Sequence, residues 1–93
     1  MLFEWDENKS ISNRQKHRIS FETAQFVFYD SNRIESYDGR DQLNEDRWTT
    51  VGLVDNNTLY VVYTVRGEDD IIRIISARKA NAKEERAYRQ AQF

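Results

Sequence analysis

Cysteine is absent from this 93-residue chain, and histidine occurs once, as His17. The first absence excludes a disulfide framework, a zinc ribbon and a thiol nucleophile. The second excludes a multi-histidine metal site. No apolar run approaches the ~20 residues of a membrane span, and the N-terminus has no signal-peptide pattern, so the expected location is the cytoplasm. A glycine-rich phosphate loop, a paired-carboxylate site and a Ser-His-Asp arrangement are also missing. No metal and no cofactor are expected.

What is present suits one domain, spanning residues 1–93. A chain of this size buries roughly 60–65% of its unfolded surface. With 39% hydrophobic residues and 13% aromatics, it has enough material for one modest core. The net charge of −2 argues against promiscuous polyanion binding, but the distribution is uneven. Residues 1–65 carry seven basic and eleven acidic side chains, whereas residues 66–93 carry seven and five. A second basic zone, Lys9, Arg14, Lys16, His17 and Arg18, contains no acid. Two local basic zones on an acidic protein point to a defined anion site, or else to ordinary solvated helix faces.

Leu2-Phe3-Glu4-Trp5 alternates apolar and polar residues, as a short strand does. Asp6 suits a helix N-cap, and the helix it starts should run to about Lys16 or His17, with basic residues at its C-terminal end. Ser20 caps a second helix in which Phe21, Ala24 and Phe28 recur at helical spacing. Residues 33–38 fit an edge strand, and the polar, acidic stretch 38–46 reads as a loop and the least ordered part of the chain. Arg47–Val54, Thr58–Arg66 and Ile71–Arg78 are three strands joined by turn-rich segments. Asn81 with Glu84 forms a capping box that opens a last helix ending near Gln90. The expected fold is α+β: an antiparallel β-meander with two N-terminal helices and one C-terminal helix.

A four-residue turn at 67–70 pairs Arg66 with Ile71 and sets Thr64 opposite Arg73. A three-residue turn at 55–57 then sets Trp48 opposite Thr64. Directly opposed residues share a face, so Trp48, Arg66 and Arg73 are expected on one, less apolar face. The other collects Val51, Leu53, Leu59, Val61, Tyr63, Val65, Ile72 and Ile74, where helices should pack.

Arginines beside an exposed aromatic match what single-stranded RNA offers. Guanidinium forks grip phosphates, and an indole stacks on a base. A Trp48–Arg73 cation–π pair within the fold is the plainer alternative. His17 is the one side chain whose ordinary pKa suits proton transfer near neutrality, although a histidine at a helix C-terminus also caps free carbonyls. Arg78, Lys79, Lys83 and Arg86 would extend a phosphate track or form a solvated surface, and Tyr88 would offer a proton or a stacking face.

The ordered set of motifs is more specific than any one of them. Phe3-Glu4-Trp5-Asp6-x-x-Lys9-x-x-x-Asn13-x-x-Lys16-His17-x-Ile19-Ser20-Phe21-Glu22-x-Ala24 resembles the opening of the BrnT family of bacterial toxins. Arg47-Trp48, Thr64-x-Arg66-Gly67, Arg73-Ile74-Ile75-Ser76-Ala77-Arg78-Lys79-Ala80 and Glu84-x-x-x-Tyr88 are similar to its second half, in order and spacing. The resemblance implies a RelE-like fold and a type II toxin that cleaves RNA and arrests translation. It also implies neutralisation by a ribbon-helix-helix antitoxin of the BrnA type, through which alone the complex meets operator DNA.

The roles expected on this reading are specific. Arg66 and Arg73 stabilise the pentavalent phosphorane, Arg78 grips a neighbouring phosphate, and His17 or Tyr88 transfers a proton. Trp48, Lys79 and Arg86 complete the substrate-binding set. The rival expectations are a non-catalytic antitoxin partner acting as a co-repressor, and a plain RNA-binding domain.

Overall fold

The computed structural model describes residues 1–92. Strand β1 (Phe3–Glu4) leads into helix α1 (Glu7–His17), helix α2 (Phe21–Ala24) and a 3-10 segment (Gln25–Tyr29). Four longer strands follow, β2 (Ile34–Arg40), β3 (Asp46–Val54), β4 (Asn57–Arg66) and β5 (Ile71–Lys79), and helix α3 (Ala82–Gln90) comes last. The sheet order is β1-β5-β4-β3-β2. Strands β2 to β5 form the expected antiparallel meander, but β1 joins β5 in parallel, with Phe3 beside Ile72 and Glu4 beside Arg73. The fold is therefore α+β with a mixed sheet, not a purely antiparallel one. The outer edge of β5 would otherwise carry unpaired backbone groups, and β1 pairs its first half.

Helix α1 completes that edge in an unusual way. Its buried residues are polar, Ser10 and Asn13. The Asn13 amide donates to the carbonyls of Ala77 (2.8 Å) and Ile19 (2.7 Å) and accepts from the Ala77 N–H (3.2 Å). One side chain thus does for Ala77 what a further strand residue would do. Asp6 caps the helix by accepting from the Lys9 N–H, and Arg18 ends it in the left-handed region, at φ 62°.

The second helix departs from expectation. Only Phe21–Ala24 is α-helical, and the chain then tightens into 3-10 geometry. The tightening is explained by the apolar spacing. Phe21, Ala24 and Val27 are all fully buried, and a repeat of three residues per turn keeps them in line. This segment packs on one face of the sheet, where the Phe28 and Tyr63 rings meet edge-on at 4.8 Å. Gly52 makes that approach possible, because a Cβ there would lie 2.9 Å from Val27 Cγ2 and 3.0 Å from Arg33 Cβ. On the opposite face α3 packs against β3, and its capping box of Asn81 and Glu84 is formed as read from the sequence.

The strand register differs at two places. The β3–β4 turn has two residues, Asp55 and Asn56, not three, so Trp48 faces Tyr63 instead of Thr64. A shift of one residue moves a side chain to the other face. Trp48 therefore joins Tyr63 and Ile74 on the face covered by the 3-10 segment, while Val51 and Leu53 move to the arginine face. The β4–β5 turn is as expected, with Arg66 beside Ile71 and Thr64 beside Arg73. A bulge then intervenes, since Tyr63 pairs with Ile74 but Val62 with Ser76, leaving Ile75 over. The extra residue brings Arg78 onto the same face as Arg73.

Candidate RNA-binding cleft

At one end of the arginine face, four elements surround a cleft of about 220 Å³. Lys9 comes from the first turn of α1, Arg47 from β3, Thr64 and Arg66 from β4, and Arg73 from β5. Asp41, Leu43 and Glu45 come from the β2–β3 turn. That turn, far from loose, is tightly tied. Strands β2 and β3 claim residues up to Arg40 and from Asp46. Between them the Asp41 carboxylate accepts from the N–H groups of Leu43 (2.9 Å) and Glu45 (3.0 Å), and Asn44 takes the left-handed conformation. The N–H of Glu45, with Leu43 and Arg47 adding to it, holds the Asp41 carboxyl below its ordinary range.

The arginines of the cleft are all paired with acids. Arg66 donates from Nε and NH2 to the two Glu45 oxygens, each at 2.9 Å. This two-pronged bond raises Arg66 above its ordinary pKa. Arg47 reaches Asp41 at 3.3 Å, and Arg73 lies 3.5 Å from Glu4 on the adjoining strand. Thr64 donates its hydroxyl to the Asp46 carbonyl at 2.7 Å, which anchors the end of the turn to β4. Among the described residues, no three His, Cys, Asp or Glu side chains are grouped to hold a metal ion.

Of the residues singled out from the sequence, this cleft brings together Arg66 and Arg73. Trp48 is next to Arg47 in the chain but sits on the other face. There, with Phe28, Arg33, Glu35, Tyr63 and Ile72, it lines a separate cleft of about 540 Å³ and meets the Tyr37 ring edge-on at 5.2 Å. Arg78 lies farther along the arginine face, its guanidinium 4.0 Å from the Tyr60 ring centre and donating two hydrogen bonds to the Glu84 carboxylate at 2.8 and 2.9 Å. Lys79 is exposed on the opposite face, paired with Leu59, and Arg86 is exposed on α3.

His17 ends α1, eight residues beyond Lys9 and so about 12 Å along the helix axis. Tyr88 is buried, and its hydroxyl donates to Asp30 at 2.6 Å. Burial, reinforced by that bond, pushes the Tyr88 phenol up to about 12. Neither proton-transfer candidate reaches the cleft.

Thr64 joins Arg66 and Arg73 in the cleft as the expected row implied, whereas Lys9, Arg47 and the turn residues Asp41, Leu43 and Glu45 were not assigned to it from the sequence. Lys9 belonged to the N-terminal basic zone. For Arg47 the face depended on the turn length at 55–57, and for Glu45 no local signal exists. It reaches Arg66 across a sequence gap of 21 residues.

No curated protein matches the chain. The family of BrnT ribonuclease toxins of type II toxin–antitoxin systems matches residues 5–84. That span contains β1's partner strand, the whole meander and every residue of the cleft. The chain therefore belongs to the BrnT family, the ribonuclease toxins of type II toxin–antitoxin systems.

Proposed function

We propose that the Lys9–Arg47–Arg66–Arg73 cleft is where this toxin cleaves single-stranded RNA, without a metal ion, and so arrests translation. Family membership brings an RNA target and a protein antitoxin. The observation that carries the location is the convergence of four cations from α1, β3, β4 and β5 on one concavity. Metal-free cleavage uses the 2′-hydroxyl as nucleophile, and the protein must orient it and neutralise charge building on the phosphorane oxygens. Arg66 and Arg73 supply that neutralisation, with Lys9 and Arg47 holding the flanking phosphates. A donor set without cysteine and with one histidine suits this metal-free route. The antitoxin is of the BrnA ribbon-helix-helix type, and it carries the complex to operator DNA.

Expression of the chain alone should stop bacterial growth, and Arg66→Ala or Arg73→Ala should each relieve the arrest at equal protein abundance. Full toxicity of both variants would place the active surface elsewhere. One observation favours a second reading, a non-catalytic antitoxin partner: each cleft arginine is already paired with an acid. A co-repressor of that kind would keep operator repression in the Arg73→Ala variant and would never have been toxic.

A further inference from the structure

The cleavage reading leaves the proton of the attacking 2′-hydroxyl without a destination, since His17 and Tyr88 lie away from the cleft. We infer that Glu45 is the group that takes it, and that the RNA phosphate frees Glu45 by displacing it from Arg66. This rests on the reading of the cleft as the site of RNA cleavage.

The geometry of the resting pair carries the first half. Both Glu45 oxygens sit in the Arg66 fork at 2.9 Å, the arrangement in which a guanidinium also takes two phosphate oxygens. Glu45 thus stands where the scissile phosphate would bind. A phosphodiester entering the cleft meets Lys9, Arg47 and Arg73 as well, whereas among the described residues the carboxylate bonds only to Arg66. The polyanion therefore has the larger claim on the fork.

Elimination carries the second half. Three carboxylates stand beside the cleft arginines: Asp41 and Glu45 line the cleft, while Glu4 meets Arg73 at 3.5 Å from β1, outside the lining and outside the Arg66 fork. Asp41 is committed to the N–H groups of Leu43 and Glu45 and to Arg47, and losing it would undo the turn. Among the described residues, the Glu45 side chain is held by Arg66 alone, with no backbone donor. Once displaced, it is still attached to a turn whose backbone is fixed by Asp41 and by the Thr64 bond. It cannot go far from the phosphate that displaced it.

The step balances as follows. The 2′-hydroxyl gives its proton to the Glu45 carboxylate as its oxygen bonds to phosphorus. The bond from phosphorus to the 5′-oxygen breaks, and that oxygen takes a proton from water. Glu45 then returns its proton to solvent, leaving a 2′,3′-cyclic phosphate and a 5′-hydroxyl. No oxidant, reductant or metal is consumed.

The test separates binding from chemistry in the purified full chain. Binding is measured with an RNA oligonucleotide carrying 2′-O-methyl groups, and chemistry by single-turnover cleavage of the unmodified oligonucleotide. Glu45→Gln should bind the methylated RNA as tightly as wild type or several-fold tighter, because a neutral amide competes poorly for Arg66. Its cleavage rate should fall about 10²–10⁴-fold, the usual worth of a positioned base. Glu45→Asp should recover part of that rate.

A Glu45→Gln rate within threefold of wild type would overturn the inference and leave the cleavage reading standing. Loss of binding in parallel with rate would also overturn it, showing that Glu45 only supports the turn. A wild-type protein that binds the RNA but forms no cyclic phosphate would overturn the cleavage reading itself, and Glu45's role with it.

Discussion

Replacing Tyr88 by phenylalanine separates a fold-stabilising group from a catalytic one. The hydroxyl of buried Tyr88 lies 2.6 Å from Oδ2 of half-buried Asp30. The same oxygen takes the Leu53 N–H at 2.8 Å, and Oδ1 takes the Asn32 N–H at 2.9 Å. Burial pushes the Asp30 carboxyl up, but these bonds and Arg33 outweigh it and leave the carboxyl below its ordinary value. Asp30 is thus a charged acceptor that ties the 3-10 segment to β3 and α3. A hydrogen bond to a charged group contributes about 1.5–3 kcal/mol, and Leu53 still serves the oxygen once the hydroxyl is gone, so Tyr88→Phe should cost about 1.5–2 kcal/mol. A domain of this size loses about 4–8 °C per kcal/mol, which gives a Tm about 6–16 °C lower by calorimetry or circular dichroism.

The pH dependence follows from the phenol itself. Its folded value, about 12, lies above the ordinary 10.0, so its contribution is present in full below pH 10 and fades as pH rises through about 12. The difference between wild type and Tyr88→Phe should shrink across that window. At a temperature well below both transitions, the variant should cleave RNA at the wild-type rate. A Tm within 1 °C of wild type, or lost activity in a folded variant, would refute the assignment.

Other perturbations test the frame around the cleft. Asn13→Ala removes three buried hydrogen bonds and orphans the Ala77 N–H and the Ala77 and Ile19 carbonyls, so it should cost at least about 3 kcal/mol in denaturant melts. Gly52→Ala forces a methyl against Val27, Arg33 and Asp30 and should cost about 1–3 kcal/mol by the same measurement. The Arg78 guanidinium holds the Glu84 carboxyl below its ordinary 4.5, with burial opposing and the Asn81 N–H assisting. A lowered folded value means stability present above pH about 4.5 and lost as pH falls, so acid unfolding should be less steep in Glu84→Gln than in wild type.

What could be read before the structure was mostly local. Asp6, Ser20 and the Asn81–Glu84 box mark helix starts because caps act within a few residues. The 67–70 turn set Arg66 and Arg73 on one face for the same reason. Trp48 was placed on the wrong face because Asp55-Asn56-Asn57 serves a two-residue or a three-residue turn equally well, and the side-chain face inverts between them. The parallel seat of β1 has no local signature, because β1 meets its partner about 70 residues later in the chain. Glu45 was lost inside a polar stretch that looked unstructured. Its significance arises only when Asp41 folds the turn and points the carboxylate at Arg66.

We propose that RNA is cut in the Arg66–Arg73 cleft by attack of its own 2′-hydroxyl. Mass spectrometry of the products from a defined oligonucleotide, incubated with the purified chain in excess EDTA, tests it most directly. The products should carry 2′,3′-cyclic phosphate and 5′-hydroxyl ends, with yields at least about 100-fold lower for Arg66→Ala and for Arg73→Ala. Absence of cleavage in EDTA with recovery on adding magnesium, or undiminished yields from both variants, would contradict it.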